Sequence, residues 1–216
     1  MFSGERRIDK PGTPVAADIA LEVRGREHPW VSRGGLKLDR ALDAFSISVE
    51  GMTGLDVGAS TGGFTDVLLA RGAVKVYAVD VGYGQLHWKL REDPRVVVLE
   101  RTNARNLTDE EIPEPVGIVV CDASFIGLEK VLPVPLGFAK PGAWLVALIK
   151  PQFEVGKGEV GKGGIVRDAA LREEVCARIG EWVAAQPGWR VVGIVESPVT
   201  GADGNVEFLI AARRDA

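Results

Sequence analysis

Residues 55–64 read Leu-Asp-Val-Gly-Ala-Ser-Thr-Gly-Gly-Phe (LDVGASTGGF), and an aspartate, Asp80, follows at the end of the next apolar run. The first three residues suit a buried strand, the glycine-rich stretch suits a sharp turn, and a helix begins on the far side of the glycines. Glycines let the chain turn through positive φ and let a ligand approach the backbone. The free N–H groups and dipole at the helix start favour an anionic group such as a carboxylate. Asp80 lies 24 residues beyond Asp56, where an acidic side chain can accept both hydroxyls of an adenosine ribose.

Outward from this stretch, apolar strands and helices alternate. Strands are expected at 54–57, 74–79, 96–99, 117–121, 143–149, 190–196 and 206–211. Helices fit at 63–71, 84–91, 126–138 and 168–185, and the spacing of Leu36, Leu38, Ala41, Leu42 and Phe45 adds an amphipathic one from Gly35. Continuously apolar short strands separated by helices predict an α/β fold, a mostly parallel sheet covered on both faces. The last two strands have only a loop between them, so the sheet should end in an antiparallel hairpin. Residues 1–26 are rich in turn formers (Gly4, Pro11, Gly12, Pro14) and suggest a small β-hairpin unit.

The loop is not G-x-G-x-x-G, and its acidic start at Asp56 suits an amino-acid ammonium better than a pyrophosphate. S-adenosylmethionine is therefore favoured over a dinucleotide or a purely structural turn. Its candidate contacts are Asp56, Gly58, Ser60, Thr61, Gly62, Gly63, Phe64 and Asp80. Thr102 and Asn103, just past the third strand, could face an adenine or serve only as turn residues. Residues 156–162 (GKGEVGK) match G-x-x-x-x-G-K, but Gly163 stands where a phosphate loop needs a magnesium-binding Ser or Thr. The stretch 152–167 reads instead as a loop over the active site.

The chain has 216 residues, 46% of them hydrophobic, enough for one well-buried domain plus an appendage. Its two cysteines, Cys121 and Cys176, show neither disulfide nor zinc spacing, and no metal site is indicated. The N-terminus lacks the apolar core of a signal peptide, and the longest apolar run, 143–149, is too short to span a bilayer. A cytoplasmic protein without membrane contact is expected. The net charge of −4 excludes a uniformly basic nucleic-acid binder, yet residues 1–40 carry eight basic against six acidic side chains. A local phosphate-binding patch involving Arg6, Arg7, Arg24 and Arg33 is the expectation that this distribution leaves open.

Two charged residues sit where such a sheet places its chemistry: Asp122 ends the fourth predicted strand and Lys150 the fifth. Burying charge at strand ends needs a reason. Methyl transfer to a hydroxyl needs an aligned acceptor and a group that accepts or relays its proton, a task open to a lysine oriented by carboxylates. Glu207 could reach the same rim.

Seven blocks in order resemble the TlyA/hemolysin-A family of ribosomal RNA 2′-O-ribose methyltransferases, related to the FtsJ fold. They are WVSRGGLKL (30–38), LDVGASTGGFTDVLL (55–69), DVGYGQL (80–86), DPRVVVLERTNAR (93–105), CDASFIGL (121–128), IKPQFEVGKG (149–158) and GNVEF (204–208). The resemblance implies a seven-stranded Rossmann-like methyltransferase sheet and a catalytic tetrad at Lys37, Asp122, Lys150 and Glu207. It also implies S-adenosylmethionine as cofactor, and as partner a ribose, that of a cytidine, in ribosomal RNA or a ribosomal subunit. Only the last part of the family's S4-type RNA-binding module matches, at residues 2–25. A partial S4-like segment over 1–28 is thus expected ahead of a methyltransferase domain over 29–216. A small-molecule methyltransferase, a cytolysin and a non-catalytic RNA binder remain as other readings.

Overall fold

The computed structural model describes residues 2–4, 6–8, 14–16, 18–20, 28–156, 158–201 and 204–215. Strands β1 (Phe2–Ser3) and β2 (Arg6–Arg7) form a two-stranded antiparallel hairpin, as the turn-rich N-terminus suggested. After helix α1 (Gly34–Ala44) come β3 (Thr53–Val57), α2 (Gly63–Ala70), β4 (Lys75–Val79), α3 (Trp88–Arg91) and β5 (Val96–Leu99). A 3-10 turn (Ala104–Asn106) leads to β6 (Val116–Cys121), α4 (Leu128–Val131), α5 (Pro133–Gly137) and β7 (Ala139–Ile149). The chain ends with α6 (Pro151–Glu154), α7 (Ala169–Ala184), β8 (Trp189–Glu196) and β9 (Phe208–Arg214).

Seven strands make one sheet in the order β5-β4-β3-β6-β7-β9-β8, parallel except for β9, which runs antiparallel to both of its neighbours. Alternate residues of the apolar strands feed two cores. Leu55, Val57, Tyr77 and Val79 face Ile179 and Val183 of α7 and Leu128, Leu132 and Leu136. Val76, Ala78, Ile118 and Val120 pack with Leu38 and Leu42 of α1 and Val67 and Leu68 of α2. Burial on both faces is why these strands lack polar alternation.

Strand order reverses between β3 and β6: the chain first builds outward to β5, then returns to add β6 and β7 on the other side. Helices on opposite faces leave a crevice beyond the carboxyl ends of the two strands, the usual ligand position in such sheets.

Three expectations are corrected. The helix expected at 84–91 is only the single turn of α3, because Gly84 adopts φ +70° and its N–H goes to Glu100 Oε1 at 2.8 Å. The helix expected at 126–138 splits into α4 and α5 where Pro133 removes a backbone donor. The strand expected at 143–149 starts earlier, as β7 from Ala139, which pairs with Val116 across a register shift. The β8–β9 hairpin is antiparallel as anticipated, with β9 between β7 and β8 and β8 at the sheet edge.

Candidate active site

The crevice is built first from backbone. Beyond β3, Gly58 turns at φ +82°, and a Cβ there would lie 2.9 Å from Ala123 Cα. Gly62 turns at φ +95° as the N-cap of α2, where a Cβ would strike Leu90 Cδ1. Only glycine fits either position without displacing its neighbours.

Asp80 holds this loop in place: one carboxylate oxygen accepts the Ser60 N–H at 2.8 Å and the other the Gly82 N–H at 2.7 Å. Each oxygen keeps a lone pair for a further donor. Asp80, Gln85, Thr102, Asn103 and Asp122 line a cavity of about 450 Å³ beside the loop. Thr102 and Asn103 thus reach the cavity while also serving as turn residues. The Thr102 hydroxyl donates to Glu100 O at 3.0 Å, and Asn103 Oδ1 accepts the Arg105 N–H at 3.1 Å.

Asp56 lies deeper than the sequence suggested. It is fully buried and lines neither cavity. One oxygen accepts the Thr65 hydroxyl at 2.7 Å and the other is sealed without a partner. Burial pushes its carboxyl up to about 7, the Thr65 hydrogen bond opposes this, and the charges of Asp122 and Asp80 add to it. An unpaired carboxylate oxygen under a glycine loop, with a second aspartate ready for two hydroxyls, is complementary to a cationic amino acid joined to a ribose. The residues present therefore fit S-adenosylmethionine.

A second cavity, of about 820 Å³, adjoins the first through the shared lining residues Gly58, Ser60, Asp122, Ser124 and Phe125. Lys37, Asp122, Lys150 and Glu207 all line it. They arrive from α1, the end of β6, the end of β7 and the residues entering β9. Two ion pairs result: Lys37 Nζ to Glu207 Oε2 at 2.6 Å, and Lys150 Nζ to Asp122 Oδ1 at 2.7 Å.

Lys37, Lys150 and Glu207 are each less than a tenth exposed, and charges buried so deeply persist only when paired. Lys150 Nζ donates to Asp122 O at 3.0 Å and Ser124 Oγ at 2.9 Å, two hydrogen bonds beside its ion pair, while Asp122 Oδ1 itself accepts no hydrogen bond among the described residues. Gln152 Nε2 donates to the second oxygen of Glu207 at 3.2 Å.

Several contributors escaped the sequence reading. Ser32, Ser124, Phe125, Gln152 and Phe153 line the second cavity. Phe125 is 89% exposed at φ +64°, and its ring sits 5.0 Å from that of Phe153. An exposed aromatic in left-handed backbone signals function in a structure, but nothing marks it in the sequence. The expected loop over the site is there in part: Gln152, Phe153, Val160 and Gly164 line the cavity, with the turn of α6 at its start. Residues 156–162 do not lead into a helix; α7 starts at Ala169, with Asp168 Oδ1 accepting the Ala170 N–H at 2.9 Å.

Of the four arginines assigned to RNA, Arg33 is exposed and lines the second cavity. Arg6 and Arg7 have their backbone in β2, with their side chains outside the described residues, as is all of Arg24.

A family model described as FtsJ-like methyltransferase matches residues 30–214. The chain belongs to the FtsJ-like methyltransferase family. It is 54% identical over 217 residues to the 16S/23S rRNA (cytidine-2′-O)-methyltransferase TlyA of Mycobacterium tuberculosis, covering 98% of this chain and 81% of that protein. The 23S rRNA (cytidine-2′-O)-methyltransferase TlyA of Campylobacter jejuni is 36% identical over 83% of this chain and 69% of its own. A solved structure described as a hemolysin of Streptococcus thermophilus superposes with a TM-score of 0.84 at 43% identity, covering 91% of this chain and 71% of that one. The FtsJ-like match spans both cavities and all four tetrad positions.

Proposed function

We propose that the chain transfers a methyl group from S-adenosylmethionine to a ribose 2′-hydroxyl of ribosomal RNA, with cytidine as the modified nucleoside. The observation that carries this reading is Lys150. Its Nζ is held by two hydrogen bonds and an ion pair to Asp122 and Ser124, residues that also line the cofactor cavity. The substrate class follows the two TlyA relatives, both named as cytidine-2′-O-methyltransferases of ribosomal RNA.

Bound in the crevice, S-adenosylmethionine supplies an electrophilic methyl on a sulfonium. Asp80 would hold its ribose hydroxyls and residues 58–63 its carboxylate, with the buried Asp56 beneath the loop drawing its ammonium by charge and not by contact. On the acceptor side, Lys150 first releases a proton to solvent, and its amine then takes the proton of the 2′-hydroxyl as the oxygen attacks. The ammonium so formed finds Asp122 Oδ1, Asp122 O and Ser124 Oγ already in place. The Lys37–Glu207 pair, braced by Gln152, forms the opposite polar wall and orients the sugar.

Residues 29–216 would form the catalytic domain, and residues 1–28 a partial S4-like segment that docks RNA through Arg6, Arg7 and Arg24, with Arg33 contributing from the catalytic domain. The partner is a ribosomal subunit, and the place of action the cytoplasm. Among the described residues no helix is long and apolar enough to cross a membrane, so a cytolytic activity has no spanning helix to rest on. Incubation with labelled cofactor and undermethylated ribosomal subunits should yield labelled 2′-O-methylcytidine. Labelling of small molecules but of no ribosomal RNA would contradict the reading.

A further inference from the structure

Lys150 stands at the start of α6, a helix of one turn. A single turn fixes several residues for one or two backbone hydrogen bonds and cannot hold itself. β7 runs to Ile149 and places the Lys150 backbone, but something outside α6 must fix the course of the chain beyond it, with Gln152 and Phe153 and the wall facing the Lys150 side chain.

The far end of the same turn shows what does. The Glu154 side chain is only 4% exposed, and its Oε1 accepts the Leu128 N–H at 2.8 Å, capping α4. Its Oε2 lies where a Cβ on Gly127 would come within 2.9 Å, so the glycine makes room for the carboxylate. From α7, Arg178 donates Nη2 to the Glu154 backbone oxygen at 2.9 Å and approaches Glu154 Oε2 at 3.4 Å, while its Nη1 pairs with Glu129 Oε1. Burial raises the Glu154 carboxyl above its usual value, and the Leu128 N–H and the Arg178 charge oppose that rise.

Two segments carry the acceptor wall. Residues 122–127 supply Asp122, Ser124 and Phe125, and residues 150–154 supply Lys150, Gln152 and Phe153. Glu154 is the residue of the second segment that grips the end of the first, and Arg178 ties both to the long helix α7.

We infer that Glu154 and Arg178 are positioning residues for methyl transfer: their clamp sets Lys150 against Asp122 and Ser124, and Phe153 against Phe125, without touching substrate or cofactor. This rests on the assignment of Lys150 as the proton acceptor. Arg178 is suited to the role because its two terminal nitrogens reach separate oxygens of Glu154 and Glu129 from one planar fork, whereas an ammonium offers a single donor atom.

Two measurements test the clamp. With ribosomal RNA as acceptor, Glu154→Ala should lower kcat about 10- to 100-fold at temperatures where circular dichroism shows it folded, with calorimetric cofactor affinity unchanged. Glu154→Gln retains an acceptor for the Leu128 N–H and should lose less; Arg178→Lys should lose less than Arg178→Ala. Separately, acetic anhydride labelling followed by mass spectrometry reads the lysines without any RNA. Lys150 should label severalfold faster in Glu154→Ala than in wild type, with Lys37 unchanged as internal reference. Wild-type kcat in a folded Glu154→Ala, loss of cofactor affinity in step with kcat, or unaltered Lys150 labelling would each overturn the clamp. An altered Lys150 labelling in a protein that methylates no ribosomal RNA would instead uphold the clamp and contradict the assigned acceptor.

Discussion

The two halves of the crevice are made of different materials. The cofactor half is mostly backbone: amides and glycines of residues 58–63, fixed by Asp80 through two N–H bonds. The acceptor half is side chain: two lysine–carboxylate pairs whose members lie 170 and 28 residues apart. Backbone amides cannot be titrated and are set by local geometry, so the first half is a rigid receptacle. Buried ion pairs are held by tertiary packing and exchange protons, so the second half can do chemistry. Binding and catalysis should accordingly be separable by substitution, except at the shared wall, where Asp122 is the charged one of the five residues that line both cavities.

That exception gives the largest expected effect. Asp122→Ala removes the carboxylate from Lys150 and opens the wall between the cavities. Methyl transfer should fall about 100- to 10,000-fold, a general-base loss, and cofactor affinity should fall as well, both read by labelled-cofactor assay and calorimetry. Lys37→Met, next in size, leaves Glu207 buried and uncompensated. Breaking such a pair costs about 3–5 kcal/mol, which urea unfolding would show.

Asp56→Asn acts on the cofactor half. The Asp56 carboxyl titrates near 7 when folded, against an ordinary 3.8. As pH rises from 4 to 7 the unfolded chain releases this proton while the folded chain keeps it, so wild-type stability declines over that window. The asparagine escapes the decline. Asp56→Asn should thus gain up to a few kcal/mol over wild type at pH 8 and nothing at pH 4, while binding the cofactor less tightly. Equal unfolding free energies at both pH values would show that the buried carboxyl is not strained. The smallest effect belongs to the rim: Arg33→Ala should leave cofactor binding intact and reduce the slope of log affinity for RNA against log salt by about 1.

The same contrast governs how much could be read from the sequence. All seven strands of the main sheet were legible because each is a short apolar run, and the cofactor loop because its residues are contiguous. What was misplaced depends on non-local pairing. The alternation of strands does not say that β9 slips between β7 and β8, and four residues of α6 carry no periodicity to detect. Asp122 and Lys150 stood out as charges ending apolar strands. Lys37 did not, since a lysine on an amphipathic helix reads as solvated until the fold buries it against Glu207. Both Lys37 and Glu207 entered through family resemblance. Gln152 and Phe153 were legible only as part of a loop over the site, and Ser124 and Phe125 only as members of a family block, because which side chains line a cavity is a property of the assembled walls.

The separation of binding from chemistry is tested most directly on Lys150→Ala, by titrating S-adenosylmethionine calorimetrically and assaying the same sample with undermethylated ribosomal subunits. The structure predicts wild-type cofactor affinity and no detectable 2′-O-methylcytidine. Retained methyl transfer, or cofactor binding lost along with it, would contradict the account.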